Sequence, residues 1–184
     1  MRRICVFCGS ADGRLPIYRE TAIAVGRALA ERSVGLVYGG GNSGLMGALA
    51  DAALAAGGEV LGVIPRRLAD REVAHAGLTQ LHVVDTMHQR KALMTELSDG
   101  FLTLPGGFGT LDELFEAITW RQLGFHDKPC AVLDVAGYFE GLLTFVERAV
   151  ADGFIRTSDR ERVLAGSDVD GLLDALLGAG SPST

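Results

Sequence analysis

The chain predicts an α/β fold: a doubly wound, mainly parallel sheet with helices on both faces. Three observations predict it. Short apolar runs alternate with longer segments of helical apolar spacing along most of the chain. Glycine clusters follow several of the apolar runs, where a strand must turn sharply into a helix. No repeat, low-complexity segment or linker interrupts the alternation, so residues 1–178 read as one domain and 179–184 as a flexible tail.

The elements follow in order. Arg3 to Cys8 reads as a buried first strand, with Gly9 to Gly13 as the loop at its carboxyl end. Pro16 to Arg32 has the apolar spacing of an amphipathic helix, with Ile17, Ala24 and Leu29 toward the core. Gly35 to Tyr38 is a second strand, Gly39 to Gly44 a glycine-rich turn, and Leu45 to Ala56 an alanine-rich helix. Glu59 to Ile64 is a third strand, ended by Pro65; residues 66–78 are polar and read as irregular. Gln80 to Val84 is a short strand and Met87 to Leu97 a helix. Gly100 to Leu104 is another buried strand, and Leu111 to Leu123 a helix after it. Pro129 to Val135 is a strand with Tyr138 to Asp152 as its helix. A weak strand near Arg162 to Ala165 and a helix near Val169 to Leu177 close the fold, and Gly178 onward frays.

Composition narrows the function. The 184 residues are 48% hydrophobic and 22% charged, ordinary for a globular domain. A formal charge of -6 argues against a duplex nucleic-acid partner, though a locally basic pocket stays open. No apolar run approaches the ~20 residues needed to cross a bilayer, and the apolar run after Arg2 and Arg3 is too short for a signal-peptide core. Cys5 and Cys8 lie three apart on a strand and point to opposite faces, so they share neither metal nor disulfide. Packed, reduced thiols fit a cytoplasmic protein. No His, Cys or carboxylate cluster has the spacing of a metal site, and no cofactor is expected.

Leu104-Pro105-Gly106-Gly107-Phe108-Gly109-Thr110-Leu111-Asp112-Glu113 organises the chain: a strand stops, glycines turn, and a helix begins. Helix-start N–H groups favour an anion, typically phosphate. No Gly-Lys-Ser/Thr follows, so this is not a P-loop. Glu113 has two readings. Thr110-x-x-Glu113 spells a capping box, which would give Glu113 only backbone donors to satisfy; alternatively it is a catalytic carboxylate. Gly39-x-Gly41-x-x-Gly44 matches a dinucleotide fingerprint, but the acidic residue expected at the end of the next strand is replaced by Val63-Ile64-Pro65. A mononucleotide pocket fits that turn better than NAD or FAD. In Met87-His88-Gln89-Arg90-Lys91, the two cations are either a solvated face or a clamp for phosphate or carboxylate. His88 reads as packed or hydrogen-bonded rather than as a base. Asp70-Arg71-Glu72 alone reads as surface charge; Trp120 and Phe125 read as core or interface. If the first strand and the 100–104 strand are neighbours, their loops form a crevice where ligands bind in such sheets.

Taken together, Pro105-Gly106-Gly107-Phe108-Gly109-Thr110-x-x-Glu113, the 87–91 segment, Tyr38-Gly39-Gly40-Gly41 with Gly44-Leu45-Met46-Gly47, and Ile118-Thr119-Trp120-Arg121-Gln122-Leu123-Gly124 with His126-Asp127-Lys128-Pro129 resemble the "Lonely guy" (LOG) family. These are cytokinin riboside 5'-monophosphate phosphoribohydrolases, often mislabelled lysine decarboxylases. The resemblance runs from Cys5 to about Val135. It implies a Rossmann-like homodimer that hydrolyses the N-glycosidic bond of N6-modified AMP, and plain AMP with it, near the subunit interface. Carried onto this chain, Arg90 and Glu113 are the catalytic pair. Glu72, Arg90, Lys91, Gly107, Phe108, Gly109, Thr110, Leu111, Asp112, Glu113 and Thr119 are the residues expected at the nucleotide. Three rival readings stand beside it: a nucleotide-binding module without turnover, a structural dimer on a Rossmann-like core, and a pyridoxal-phosphate decarboxylase with Lys91 or Lys128 as the Schiff base.

Overall fold

The computed structural model describes residues 2–72 and 74–179, with the side chains of 70–72 outside that description. Seven strands form one sheet in the order β4-β3-β2-β1-β5-β6-β7. They are β1 (Arg3–Phe7), β2 (Gly35–Tyr38), β3 (Val60–Pro65), β4 (Gln80–Val84), β5 (Gly100–Thr103), β6 (Cys130–Leu133) and β7 (Val163–Gly166). Every pairing in the sheet is parallel. The order grows outward from β1 in one direction through β4, then restarts beside β1 with β5. That reversal leaves a crevice at the carboxyl ends of β1 and β5, the place where open α/β sheets bind ligands.

The helices are α1 (Pro16–Glu31), α2 (Gly44–Ala55), α3 (Arg66–Glu72), α4 (Met87–Glu96), α5 (Phe108–Gln122), α6 (Glu140–Ala151), α7 (Thr157–Arg160) and α8 (Val169–Ala179). Strand alternation assigns them to faces. Ile4, Val6 and Cys8 of the β1 segment join a core with Leu29 of α1, Leu49 of α2 and Leu173 of α8. Cys5 and Phe7 face the other way, onto Met94 of α4 and Ala117 of α5. Leu114, Val132 and Phe139 extend that second layer beyond β6. Cys5 and Cys8 thus belong to different layers, and both are free and buried, as is Cys130. Burial pushes the Cys5 and Cys8 thiols well above the ordinary thiol range, which keeps them protonated and inert.

Several boundaries differ from the sequence reading. Residues 66–72, read as irregular, form the short helix α3, and the four-residue α7 was not foreseen. Helix α5 begins at Phe108, not Leu111, with Gly107 as its N-cap. Thr110 is therefore inside the first turn, and the Thr110-x-x-Glu113 capping box does not form. The true capping box is Thr86-x-x-Gln89 at the head of α4, where Thr86 accepts from the Gln89 N–H and the Gln89 side chain accepts from the Thr86 N–H. Helix α8 runs through Ala179, so Gly178 and Ala179 are helical; the rest of the expected tail lies outside the described residues. Among the described residues no helix is long and apolar enough to cross a membrane.

Candidate active site

Three loops meet at the reversal point. The loop after β1 is tied to the loop after β5, because the Gly9 N–H donates to the Pro105 carbonyl at 3.0 Å. The turn after β2 is pressed onto the same loop. A Cβ on Gly44, whose φ is +58°, would fall on the backbone of Ser10 and Ala11. The Gly39–Gly44 glycines therefore serve close backbone packing around the crevice, which the fingerprint alone could not distinguish from dinucleotide binding.

The crevice holds a cavity of about 250 Å³, lined in part by Ser10, Gly39, Met46, Arg90 and Glu113 and by Gly107 through Thr110. A larger groove of about 450 Å³ lies between α1 and α2, lined by alanines with Arg19, Arg27, Glu31 and Asp51. The smaller cavity is the better candidate. It sits at the strand ends and contains both an anion-binding helix terminus and a buried pair of opposite charges. The first turn of α5 supplies the terminus: no side chain caps Gly107, and the Leu111 N–H is the one that closes back on the Gly107 carbonyl. The N–H groups that precede Leu111 lie at the positive end of the helix, on residues that line the cavity.

Arg90 is nearly sealed, with 8% of its side chain exposed. Its Nε donates to the Val63 carbonyl at 3.1 Å, within β3, and its Nη2 to the Gly39 carbonyl at 3.0 Å, just after β2. A Cβ on Gly39 would land on Nη2, so any larger residue here would displace the guanidinium. Arg90 Nη1 donates to the Met87 sulfur at 4.0 Å and lies 3.9 Å from Oε1 of Glu113, which is 11% exposed. The two carbonyls fix the guanidinium; Glu113 faces it across a gap longer than a direct hydrogen bond. With the capping role gone, Glu113 projects from the second turn of α5 as a buried carboxylate beside a cation.

The other expected residues separate. Gly107, Phe108, Gly109 and Thr110 line the cavity with Arg90 and Glu113. Leu111 instead packs with Leu114 against Val132 and Phe139. Lys91 and Asp112 pair with each other at 3.1 Å outside the cavity lining. Thr119 is exposed on the outward stripe of α5 that also carries Phe108, Asp112 and Phe115 at helical spacing. His88 is exposed on the first turn of α4. The Glu72 side chain lies outside the described residues. Ser10, Gly39 and Met46 also line the cavity; Gly39 and Met46 belong to the glycine-rich motif read from the sequence as the edge of a mononucleotide pocket, whereas Ser10 carries no signal beyond its place in the loop after β1.

Comparison with known proteins agrees with this geometry. Residues 46–176 match the family model described as "Possible lysine decarboxylase". A cytokinin riboside 5'-monophosphate phosphoribohydrolase of Rhodococcoides fascians is 50% identical over 95% of this chain and 89% of its own. A protein of that name from Arabidopsis thaliana is 48% identical over 95% of this chain and 81% of its own. Among solved structures, the molybdenum cofactor carrier protein of Chlamydomonas reinhardtii superposes with a TM-score of 0.74 over 97% of each chain at 21% identity. The molybdenum cofactor binding protein of Rippkaea orientalis gives 0.73 over 98% of each chain at 19%. At those identities the two structures establish the shared fold alone. The family match and the relatives near 50% identity establish that this chain belongs to the LOG family of phosphoribohydrolases.

Proposed function

We propose that this protein hydrolyses the N-glycosidic bond of cytokinin riboside 5'-monophosphates, and of AMP itself, releasing the free base and ribose 5-phosphate. One observation carries the reading: an uncapped helix N-terminus and the Arg90–Glu113 pair open into one cavity at the β1/β5 crevice.

The chemistry follows from that placement. The 5'-phosphate sits on the amides at the start of α5. Its binding holds the pentose near Glu113, so binding energy from a part of the substrate that does not react positions the part that does. As the C1'–N bond lengthens, positive charge builds on the ribose, as in glycoside hydrolysis. The Glu113 carboxylate stabilises that charge or takes a proton from the attacking water. Water supplies the hydroxyl that ends on C1', and a proton ends on the departing base. Arg90, held by two carbonyls, keeps a fixed positive charge 3.9 Å from the Glu113 carboxylate.

The family model's description suggests lysine decarboxylation, but a Schiff base needs an amine in the cavity. Lys91 is engaged by Asp112 and Glu116, and Lys128 donates to the Thr95 carbonyl at 2.6 Å; neither lines the cavity. We further propose a homodimer. Phe108 (94% exposed), Phe115, Leu123 and Phe125 leave an apolar stripe on and after α5, beside the cavity mouth. On that reading Thr119 meets a nucleotide only where two copies join. Three free cysteines support a reducing, cytoplasmic setting.

The test is direct. Incubation with AMP and with isopentenyladenosine monophosphate should release free base and ribose 5-phosphate in equal amounts. Nucleotide binding without release of base would leave a binding module.

A further inference from the structure

Helices α4 and α5 carry the two halves of the charge pair, yet each rests on the sheet: α4 on β3 and β4, α5 on β5 and β1. Arg90 joins them only by an ion pair longer than a hydrogen bond. Its Nε and Nη2 are directed to the carbonyls of Val63 in β3 and of Gly39 just after β2, and it stops 3.9 Å short of Glu113. The direct link is made by the next residue of α4 and by the two acids that flank Glu113 on α5. Lys91 Nζ donates to Asp112 Oδ2 at 3.1 Å and to Glu116 Oε2 at 2.5 Å. Asp112 and Glu116 are one turn apart on α5, so a single ammonium clips two successive turns. The clip is mostly out of water on one side, with Lys91 at 11% exposure and Glu116 at 22%. Beneath it is a gap of only about 10 Å³, bounded by Phe7, Lys91, Thr95, Glu113, Glu116 and Ala117, at most the room for a single water. Glu113 is thus backed by the clip on one side and faces the cavity on the other. Burial works against the Lys91 charge, but the hydrogen bonds to Glu116 and Asp112 outweigh it and raise its pKa above the usual lysine range.

We infer that Lys91 is a positioning residue: through Asp112 and Glu116 it sets the α4–α5 spacing that holds Glu113 at its distance from Arg90. The inference rests on the phosphoribohydrolase reading and deepens it. It also separates Lys91 from the nucleotide contacts that the family resemblance implies for it. The phosphate grip lies on α5 alone and survives loss of the clip. The alignment of carboxylate with pentose does not survive it, and misplacement by about 1 Å costs on the order of 10²-fold.

The experiment compares K91M, K91R, D112N/E116Q and the triple variant K91M/D112N/E116Q by release of adenine from AMP, each beside wild type and each with a melting curve. The expected result is a kcat at least tenfold lower in K91M and in D112N/E116Q, with KM within about twofold of wild type. K91R should recover most of the loss, and the triple variant should be no worse than the carboxylate pair alone. Should K91M fail to fold, single D112N and E116Q carry the same split, because Asp112 is half-exposed and both changes are isosteric. A tenfold rise in KM for K91M, with D112N/E116Q indistinguishable from wild type, overturns the inference and makes Lys91 a nucleotide contact. Full kcat in K91M and D112N/E116Q overturns it as well. A wild-type protein that turns over no nucleotide refutes the parent reading, and the positioning role with it.

Discussion

Glu113→Gln is the perturbation that separates chemistry from architecture. The change keeps the shape of the side chain and removes its charge. At 3.9 Å from Arg90 Nη1, the gross attraction is about 4 kcal/mol at an effective dielectric near 20. Desolvation of both groups offsets much of that, and the two carbonyls continue to hold Arg90 in the variant. The net stability cost is then about 1–2 kcal/mol, or about 2–8 °C in melting temperature for a chain of this length. Catalysis should suffer more. Removing one preorganised group that stabilises transition-state charge typically costs 10²–10³ in kcat, about 2.7–4 kcal/mol. We therefore expect kcat for adenine release from AMP to fall by roughly 10²–10³-fold. KM should stay within about threefold, because the phosphate site on α5 is untouched. The assay is chromatographic quantitation of free base under saturating nucleotide, with a melting curve on the same sample. A variant that melts cooperatively and turns over within threefold of wild type would refute the reasoning, since the structure leaves Glu113 no capping role to fall back on.

Other outcomes follow from the same site. Gly109→Asp should separate stability from function: a Cβ there meets nothing within 4 Å, and an acid in the first turn of α5 favours the helix by about 0.3–1 kcal/mol. The same carboxylate repels a phosphate, so KM should rise at least tenfold while the melting temperature holds or rises. Gly39→Ala should force Arg90 off its carbonyls; overpacking of about 1–3 kcal/mol is expected, with kcat falling at least tenfold. The pair between Arg3 and Glu59 predicts a pH effect. The hydrogen bond from Arg3, opposed by burial, lowers the Glu59 pKa. Its contribution is present above the unfolded carboxylate pKa, about 4.3. It is lost as pH falls through the lower folded value. Glu59→Gln should therefore cost about 0.5–1 kcal/mol at pH 7, with the difference from wild type closing at strongly acid pH in denaturant melts.

The sequence made the frame legible because the frame depends on local pattern. Period-two alternation put Cys5 and Cys8 in different layers, and the glycine clusters marked the strand ends that became the crevice rim. The pairing of β1 with β5 could only be posed as a condition, because register between strands whose partners, such as Ile4 and Gly100, lie far apart in the chain is set by packing on the sheet. Helix starts were harder. Gly107-Phe108-Gly109 carries weak helix propensity, so Thr110 offered the nearer capping signal; docking against β1 and β5 starts the helix three residues earlier. The real capping box at Thr86 and Gln89 was hidden among the charges of the 87–91 segment. The burial of Arg90 was unreadable from α4 alone. Its partners, the carbonyls of Val63 and Gly39, come from 27 and 51 residues away, and backbone acceptors leave no mark on composition. Lys91 was illegible for the related reason that its two carboxylates lie on another helix.

A crystal structure of the Glu113→Gln variant with AMP bound tests the central claim most directly. The account predicts the 5'-phosphate oxygens within hydrogen-bond reach, about 3 Å, of the backbone N–H groups of residues 108–110, with the residue 113 side chain against the ribose at C1'. A phosphate seated elsewhere, such as the groove between α1 and α2, or a residue 113 side chain turned away from the pentose, would contradict it.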